Sequence, residues 1–342
     1  MDMAPEDLAR QAESGNCEAQ LALARRFEVD RKTVLARGWY ARAAKQGSVE
    51  GLRSLAINLL TRQPVVAREG VNMIRSAAHK GDAQAAYVCA MLAAQDYLLD
   101  DRWEVARECL VRAADRGWEP ARQQLHFLGD DFQAENAAQL TRALPIRSAF
   151  DSPRIGLIEG FAPGSFCDWL IERARPNLGR ALVYDTEGGG GRVEDARSNS
   201  TAIFNIAQSD VVLMLLRARI AASANLEHPR LEDPAILHYA PGQQFEPHFD
   251  FLDPSSPGHA GDLALRGQRI ATFLLYLNED YEGGETAFPR LDWSYKGRKG
   301  DALLFWNVTA EGGPDERTLH AGLPPSSGEK WLLSQWIRQE PA

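Results

Sequence analysis

The feature that most constrains this chain is a spacing. Gly15, Gly47, Gly81 and Gly117 stand 32, 34 and 36 residues apart, in the phrases AESGN, AAKQGS, AAHKGD and AADRGW. Each phrase leads into small and apolar residues at intervals of three and four: AQLALARRF, EGLRSLAINLL, AQAAYVCAMLA and PARQQLHFL. The later three phrases end amphipathic segments of the same period, ARGWYARAA, GVNMIRSAA and ARECLVRAA. That interval is the helix period. Glycine just past a helix supplies the left-handed cap that stops it. A unit of two helices cannot bury its apolar face alone, so repeated units stack. Residues 1–130 are therefore expected to form an all-α solenoid. No cluster of catalytic residue types stands out in this half.

The recurring Ala-Ala-x-x-Gly phrase resembles the Sel-one-like family of tetratricopeptide-like repeats, over about residues 5–127. That resemblance implies a surface that binds proteins or peptides.

Residues 131–149 carry no sustained pattern and read as a connector. From 150 to 342 the grammar changes. RIGLIEGF reads as a strand and GSFCDWLIERARP as a helix, with Ser165 as its N-cap. ALVYD, a glycine run at 188–191 and STAIFNI follow, and then a second helix, SDVVLMLLRARIAASAN. The remainder is short strands between turns: AILHYA, FEPHFDF, RIATFLLYLN, TAFP, ALLFW and KWLLSQWIR. Two helices ahead of a strand-rich region suggest helices packed on a sandwich or barrel. The glycine run does not fit a dinucleotide or phosphate loop and reads as a flexible loop.

One strand carries candidate chemistry. In EPHFDFLD, His248 and Asp250 are two apart, so an extended backbone projects both to one face, with Phe249 and Phe251 on the other. A metal site needs a third ligand, and His238, His259 and His320 are the candidates. His238 has the alternation to face away from Tyr239, and His259 lies in the polar loop-like stretch SSPGHAGD. Two histidines and one carboxylate leave open positions on the metal and suit non-haem Fe(II) oxygen chemistry.

The phrases YAPGQQFEPHFD, RIATFLLYLN, GGETAFP, KGDALLFWN, TLHAGLP and GEKWLLSQWIR occur in this order. Together they resemble the Fe(II)- and 2-oxoglutarate-dependent dioxygenases of the prolyl 4-hydroxylase type. The resemblance covers about 150–340. It implies a double-stranded β-helix, or jelly roll, with supporting helices, and a hydroxylase that uses 2-oxoglutarate and O2 as cosubstrates, with ascorbate. It implies that His248, Asp250 and His320 hold the iron. It also implies that Lys330 and Tyr239 meet the distal carboxylate of 2-oxoglutarate, with Thr272 and Tyr276 further along the pocket. Lys330 shares its strand face with Leu332, Ser334 and Trp336, and a cation in such a wall needs an anion. Arg269 and Trp336 match positions beside the peptide substrate. Phe245 stands where the family usually has tyrosine, which puts collagen-like recognition in doubt. Arg197 in RSNS is read as a scaffold residue. The expected substrate is a protein, presented by the repeats. Two alternatives stay open: an oxygenase acting on a small molecule such as a free amino acid, and a repeat adaptor without catalysis.

Net charge is −9, which does not suit an extended nucleic-acid surface. No apolar run approaches the roughly 20 residues of a membrane span, and MDMAPEDLARQAESG does not read as a signal peptide. The four cysteines, Cys17, Cys89, Cys109 and Cys167, are scattered without CxxC or zinc spacing and read as small core thiols. The expected compartment is the cytoplasm.

Overall fold

The structure is a computed structural model that describes residues 5–30, 32–61, 67–96, 101–129, 134–181, 183–184, 191–192, 196–226 and 230–340. It divides into two compact units, Met1–Ala138 with Asn205–Met214, and Gln139–Phe204 with Leu215–Ala342.

The first unit is a stack of helices: α1 (Pro5–Glu13), α2 (Cys17–Val29), α3 (Thr33–Lys45), α4 (Val49–Leu60), α5 (Ala67–His79), α6 (Ala83–Gln95), α7 (Arg102–Asp115) and α8 (Glu119–Leu128). The repeat phrases are its corners. All four glycines have φ between +86° and +97°, where an L side chain is strained. The amide after each glycine reaches back into the helix it leaves: Asn16 to Gln11, Ser48 to Ala43, Asp82 to Ala77 and Trp118 to Ala113. That pattern satisfies carbonyls the helix end would otherwise orphan. The same residue then starts the next helix. Asn16 accepts from the Ala19 amide at 2.9 Å, Ser48 from Gly51 at 3.0 Å and Asp82 from Ala85 at 2.7 Å. Trp118 cannot cap in this way, and there Pro120 occupies the first turn, where it lacks only an amide with no partner to lose.

Buried alanines (Ala24, Ala36, Ala43, Ala56, Ala77, Ala106) let the helices approach closely. Arg25–Glu50 and Arg53–Asp82 ion pairs link successive repeats. Residues 205–214 complete this unit. The Tyr87 hydroxyl donates to the Ser209 carbonyl at 2.9 Å, and the Val211 amide donates to Gln124 Oε1 at 2.8 Å.

The stretch read as a connector contains helix α9 (Ala134–Thr141) and the first residues of β1 (Arg147–Asp151). The second unit also holds α10 (Gly164–Ala174), the later part of α11 (Val211–Ser223), and α12 (Pro257–Arg266). The N-cap of α10 is Pro163, and Ser165 lies inside the first turn. The fixed φ of proline suits a helix start, so the helix begins one step ahead of the serine.

An eight-stranded antiparallel sheet runs β1, β2 (Arg154–Ile158), β13 (Ala302–Trp306), β9 (Arg269–Tyr276), β16 (Lys330–Arg338), β7 (Ala235–Tyr239), β6 (Ser200–Ile203), β3 (Gly179–Arg180). A four-stranded sheet runs β12 (Trp293–Tyr295), β11 (Thr286–Phe288), β14 (His320–Gly322), β8 (Phe245–His248). Two-stranded pairs join β10 (Glu282–Gly283) to β15 (Pro325–Ser327) and β4 (Val183–Tyr184) to β5 (Gly191–Arg192). Tyr239, Leu274, Tyr276, Phe305 and Leu332 from the larger sheet pack with Phe288 from the smaller in one apolar core. The two sheets therefore face each other, as a double-stranded β-helix requires. Residues 188–190 of the glycine run lie outside the described residues, and Gly191 opens β5. No helix among the described residues is long and apolar enough to cross a membrane.

Candidate metal centre

The smaller sheet brings the sequence candidates together. Strand β8 ends at His248 and β14 begins at His320, and their register sets the two opposite each other. The strand stops two residues short of Asp250, yet the carboxylate stays on the histidine side. Asp250 Oδ1 lies 3.8 Å from His248 Nε2, and Oδ2 lies 3.5 Å from His320 Nε2. Phe249 and Phe251 stack on each other at 4.6 Å. The ligand atoms of the three residues fall within 4.8 Å, the one such cluster among the described residues.

The surroundings fix which atom of each ring is available. His248 Nδ1 is 2.7 Å from the Glu246 carbonyl, and His320 Nδ1 is 3.0 Å from the Thr318 carbonyl. A carbonyl only accepts, so both Nδ1 atoms carry a proton and both Nε2 atoms are turned to the cluster. Burial and the neighbouring His320 push the His248 pKa down to about 3, so its ring is neutral at ordinary pH. Burial alone would raise Asp250. His320 and His248 beside it, and a hydrogen bond from Thr272, hold it below the usual carboxylate range. Two imidazole Nε2 atoms facing an ionised carboxylate are a donor set of the kind that takes a divalent cation.

The larger sheet supplies the wall of the same cavity. Lys330, Leu332, Ser334 and Trp336 line it from alternate positions of β16, as the strand alternation predicts. Lys330 is fully buried, and its Nζ has no hydrogen-bond partner among the described residues. It lies 5.1 Å from the Tyr239 ring, opposite Tyr239 in the register of β16 with β7. Burial pushes the Lys330 pKa down to about 7 against a weak upward pull from Glu285, and burial raises Tyr239 to about 12. Such an orphaned donor calls for an acceptor.

Other sequence candidates sit elsewhere. Thr272 does not line the cavity. Its hydroxyl donates to Asp250 Oδ2 at 2.7 Å and accepts from Asn307 Nδ2 at 3.0 Å, so it fixes the carboxylate from behind. Tyr276 also lies behind the wall, 2.9 Å from the hydroxyl of Thr286, which does line it. Arg269 makes two hydrogen bonds with Glu232, at 2.7 and 3.1 Å, while its guanidinium stacks 3.6 Å over Trp336. Phe245 stacks on His248 at 3.5 Å, and Arg197 lies 4.5 Å over the Phe245 ring. His238 packs on Trp331 and lies 3.4 Å from Glu329, apart from the cluster. His259 is buried in the first turn of α12 rather than in a loop, because Pro257 starts a helix there. Sequence reasoning missed Asn307, Thr286 and Glu232.

Comparison with known proteins follows the same lines. Residues 234–338 match the 2OG-Fe(II) oxygenase superfamily. Prolyl 4-hydroxylase 1 of Arabidopsis thaliana is 34% identical over 203 residues, covering 55% of this chain and 70% of that one. The chain belongs to the prolyl 4-hydroxylase family. Probable prolyl 4-hydroxylase 7 of the same plant is 35% identical over 204 residues, which span 54% of this chain and 63% of the relative. The solved structure of the viral collagen prolyl hydroxylase vCPH from Paramecium Bursaria Chlorella virus-1, in complex with 2OG, shares 30% identity. It covers 54% of this chain and 95% of that one, with a TM-score of 0.42.

This prolyl 4-hydroxylase-type domain is an Fe(II)- and 2-oxoglutarate-dependent dioxygenase, and its residues fit both groups. Two Nε2 atoms and one carboxylate suit iron, and the orphaned Lys330 ammonium suits a carboxylate of 2-oxoglutarate. When bound, iron and 2-oxoglutarate together supply the O2-dependent oxidation. The protein's own share is to orient the donors, neutralise the cosubstrate and keep the Lys330 end of the pocket dry.

Proposed function

We propose that the chain hydroxylates prolyl residues of a protein substrate, as an oxygenase in the cytoplasm. The buried, unpartnered Lys330 behind the His248–Asp250–His320 cluster carries this reading, because it supplies a cosubstrate anchor beside a metal donor set. The names of the relatives support proline as the target. The repeated glycine corners support a Sel-one-like helical array as the surface that presents the substrate protein. Two residues that line the cavity hold their places before substrate arrives: Trp336 is stacked under Arg269, which Glu232 clamps, and Phe245 packs on His248.

The test is turnover of proline-containing peptides with Fe(II), 2-oxoglutarate and ascorbate. Expected are succinate formation and a gain of about 16 Da on proline, both lost in H248A. Turnover of free amino acids, with peptides left unmodified, would overturn the assignment.

A further inference from the structure

Two cysteines that the sequence scatters meet inside the first unit. Cys89 lies in α6 and Cys109 in α7, neighbouring helices, and the two residues line one cavity between them. Both line a partly open cavity of about 180 Å³ whose wall also carries Arg75, His79 and Arg112. Cys89 is partly accessible and Cys109 is 8% exposed.

The setting divides the pair into two roles. The neighbouring Cys89 thiol lowers the Cys109 pKa, with Arg112 helping against burial. Cys109 and burial raise Cys89. A thiolate beside arginines is the reactive form of cysteine, and a protonated thiol beside it is a resolving partner. His79 shares the cavity, but no group of three metal-ligand atoms gathers there among the described residues. The geometry therefore favours dithiol chemistry over a metal.

We propose that Cys89 and Cys109 form a redox site that a peroxide closes into a disulfide between α6 and α7. The Cys109 thiolate attacks one oxygen of hydrogen peroxide. The O–O bond breaks, and hydroxide leaves and becomes water on protonation. Cys109 is left as a sulfenic acid. The Cys89 sulfur then attacks the Cys109 sulfur, the S–O bond breaks, and a second water leaves carrying the thiol proton. Two thiols lose two electrons in all, and one peroxide is reduced to two waters. A small dithiol reopens the bond by exchange.

The test uses the full chain, kept free of iron by a chelator so that peroxide does not react at the metal centre. After brief exposure to hydrogen peroxide and quenching with catalase, free thiols are alkylated and the protein is digested. Expected are a mass loss of about 2 Da, retention of only Cys17 and Cys167 as free thiols, and a linked Cys89–Cys109 peptide that dithiothreitol releases. The unfolding temperature should rise on oxidation. C89S should instead accumulate about 16 Da at Cys109 and react with dimedone, and C109S should oxidise no faster at Cys89 than at Cys17. Circular dichroism checks that both variants keep wild-type helicity. Four alkylatable thiols after prolonged peroxide, a mixture of disulfide partners, or equal oxidation rates in wild type and C109S would overturn the proposal.

Discussion

At the residue scale, the site depends on groups that hold other groups. Thr272 reaches Asp250 with its hydroxyl and is itself held by Asn307. T272V keeps the shape and removes that link, so Fe(II) affinity should fall about 10- to 100-fold. Anaerobic titration measures it, with the unfolding midpoint as a control for folding. Lys330 gives a signed pH dependence. Burial lowers it from 10.5 to about 7 in the folded chain. Between pH 7 and 10.5 the unfolded chain holds a proton that the folded chain has shed, so stability from this residue rises with pH across that window. Binding 2-oxoglutarate needs the ammonium back. Affinity should therefore decline as pH rises past about 7, with uptake of about one proton per cosubstrate at about pH 8. Calorimetry in two buffers of different ionisation heat reads that proton directly. K330M should abolish cosubstrate binding yet stabilise the empty protein at about pH 7 by about 1–3 kcal/mol, because an unpaired buried cation is gone. The three cluster residues and Lys330 were legible because strand alternation fixes which neighbours share a face. Glu232 was not, since its partners Arg269 and Arg338 lie 37 and 106 positions along the chain and meet it only through sheet register.

At the element scale, one corner residue does two jobs. Asp82 caps α6 through the Ala85 amide at 2.7 Å and pairs with Arg53 of α4 at 2.6 Å. D82A should cost about 1–2 kcal/mol in chemical denaturation of the full chain. D82N should recover most of it, because asparagine caps equally well and loses only a partly exposed ion pair. The corners were the most legible part of the fold: glycine at the turn and a capping side chain after it are both local signals. The start of α10 was less so. Pro163 and Ser165 each mark a helix start, and the backbone restraint of proline prevailed. Helix α9 in the stretch read as a connector had no amphipathic period long enough to announce it.

At the scale of the whole molecule, the chain crosses between its units more than once. Residues 205–214 belong with the helical unit although 139–204 belong with the other. Val211, Leu213 and Met214 are almost wholly buried, and the Tyr87–Ser209 and Gln124–Val211 bonds are made within that unit. A truncated protein lacking residues 1–138 should therefore expose this apolar segment and aggregate. The expected result is loss of soluble, iron-binding protein, measured by size-exclusion chromatography and metal titration. Nothing in the sequence signals this exchange, because an apolar helix start looks the same whichever core it enters. Its consequence lies in the order of synthesis. The ribosome releases the eight stacked helices first, but their unit lacks its last piece until residue 214 has emerged. By then the intervening 139–204 has already left the tunnel. The helical array can close at that point, while residues 139–204 must wait for 215–342 to complete the oxygenase, so protease resistance should appear in the helical unit first and in 139–204 only near the end of translation.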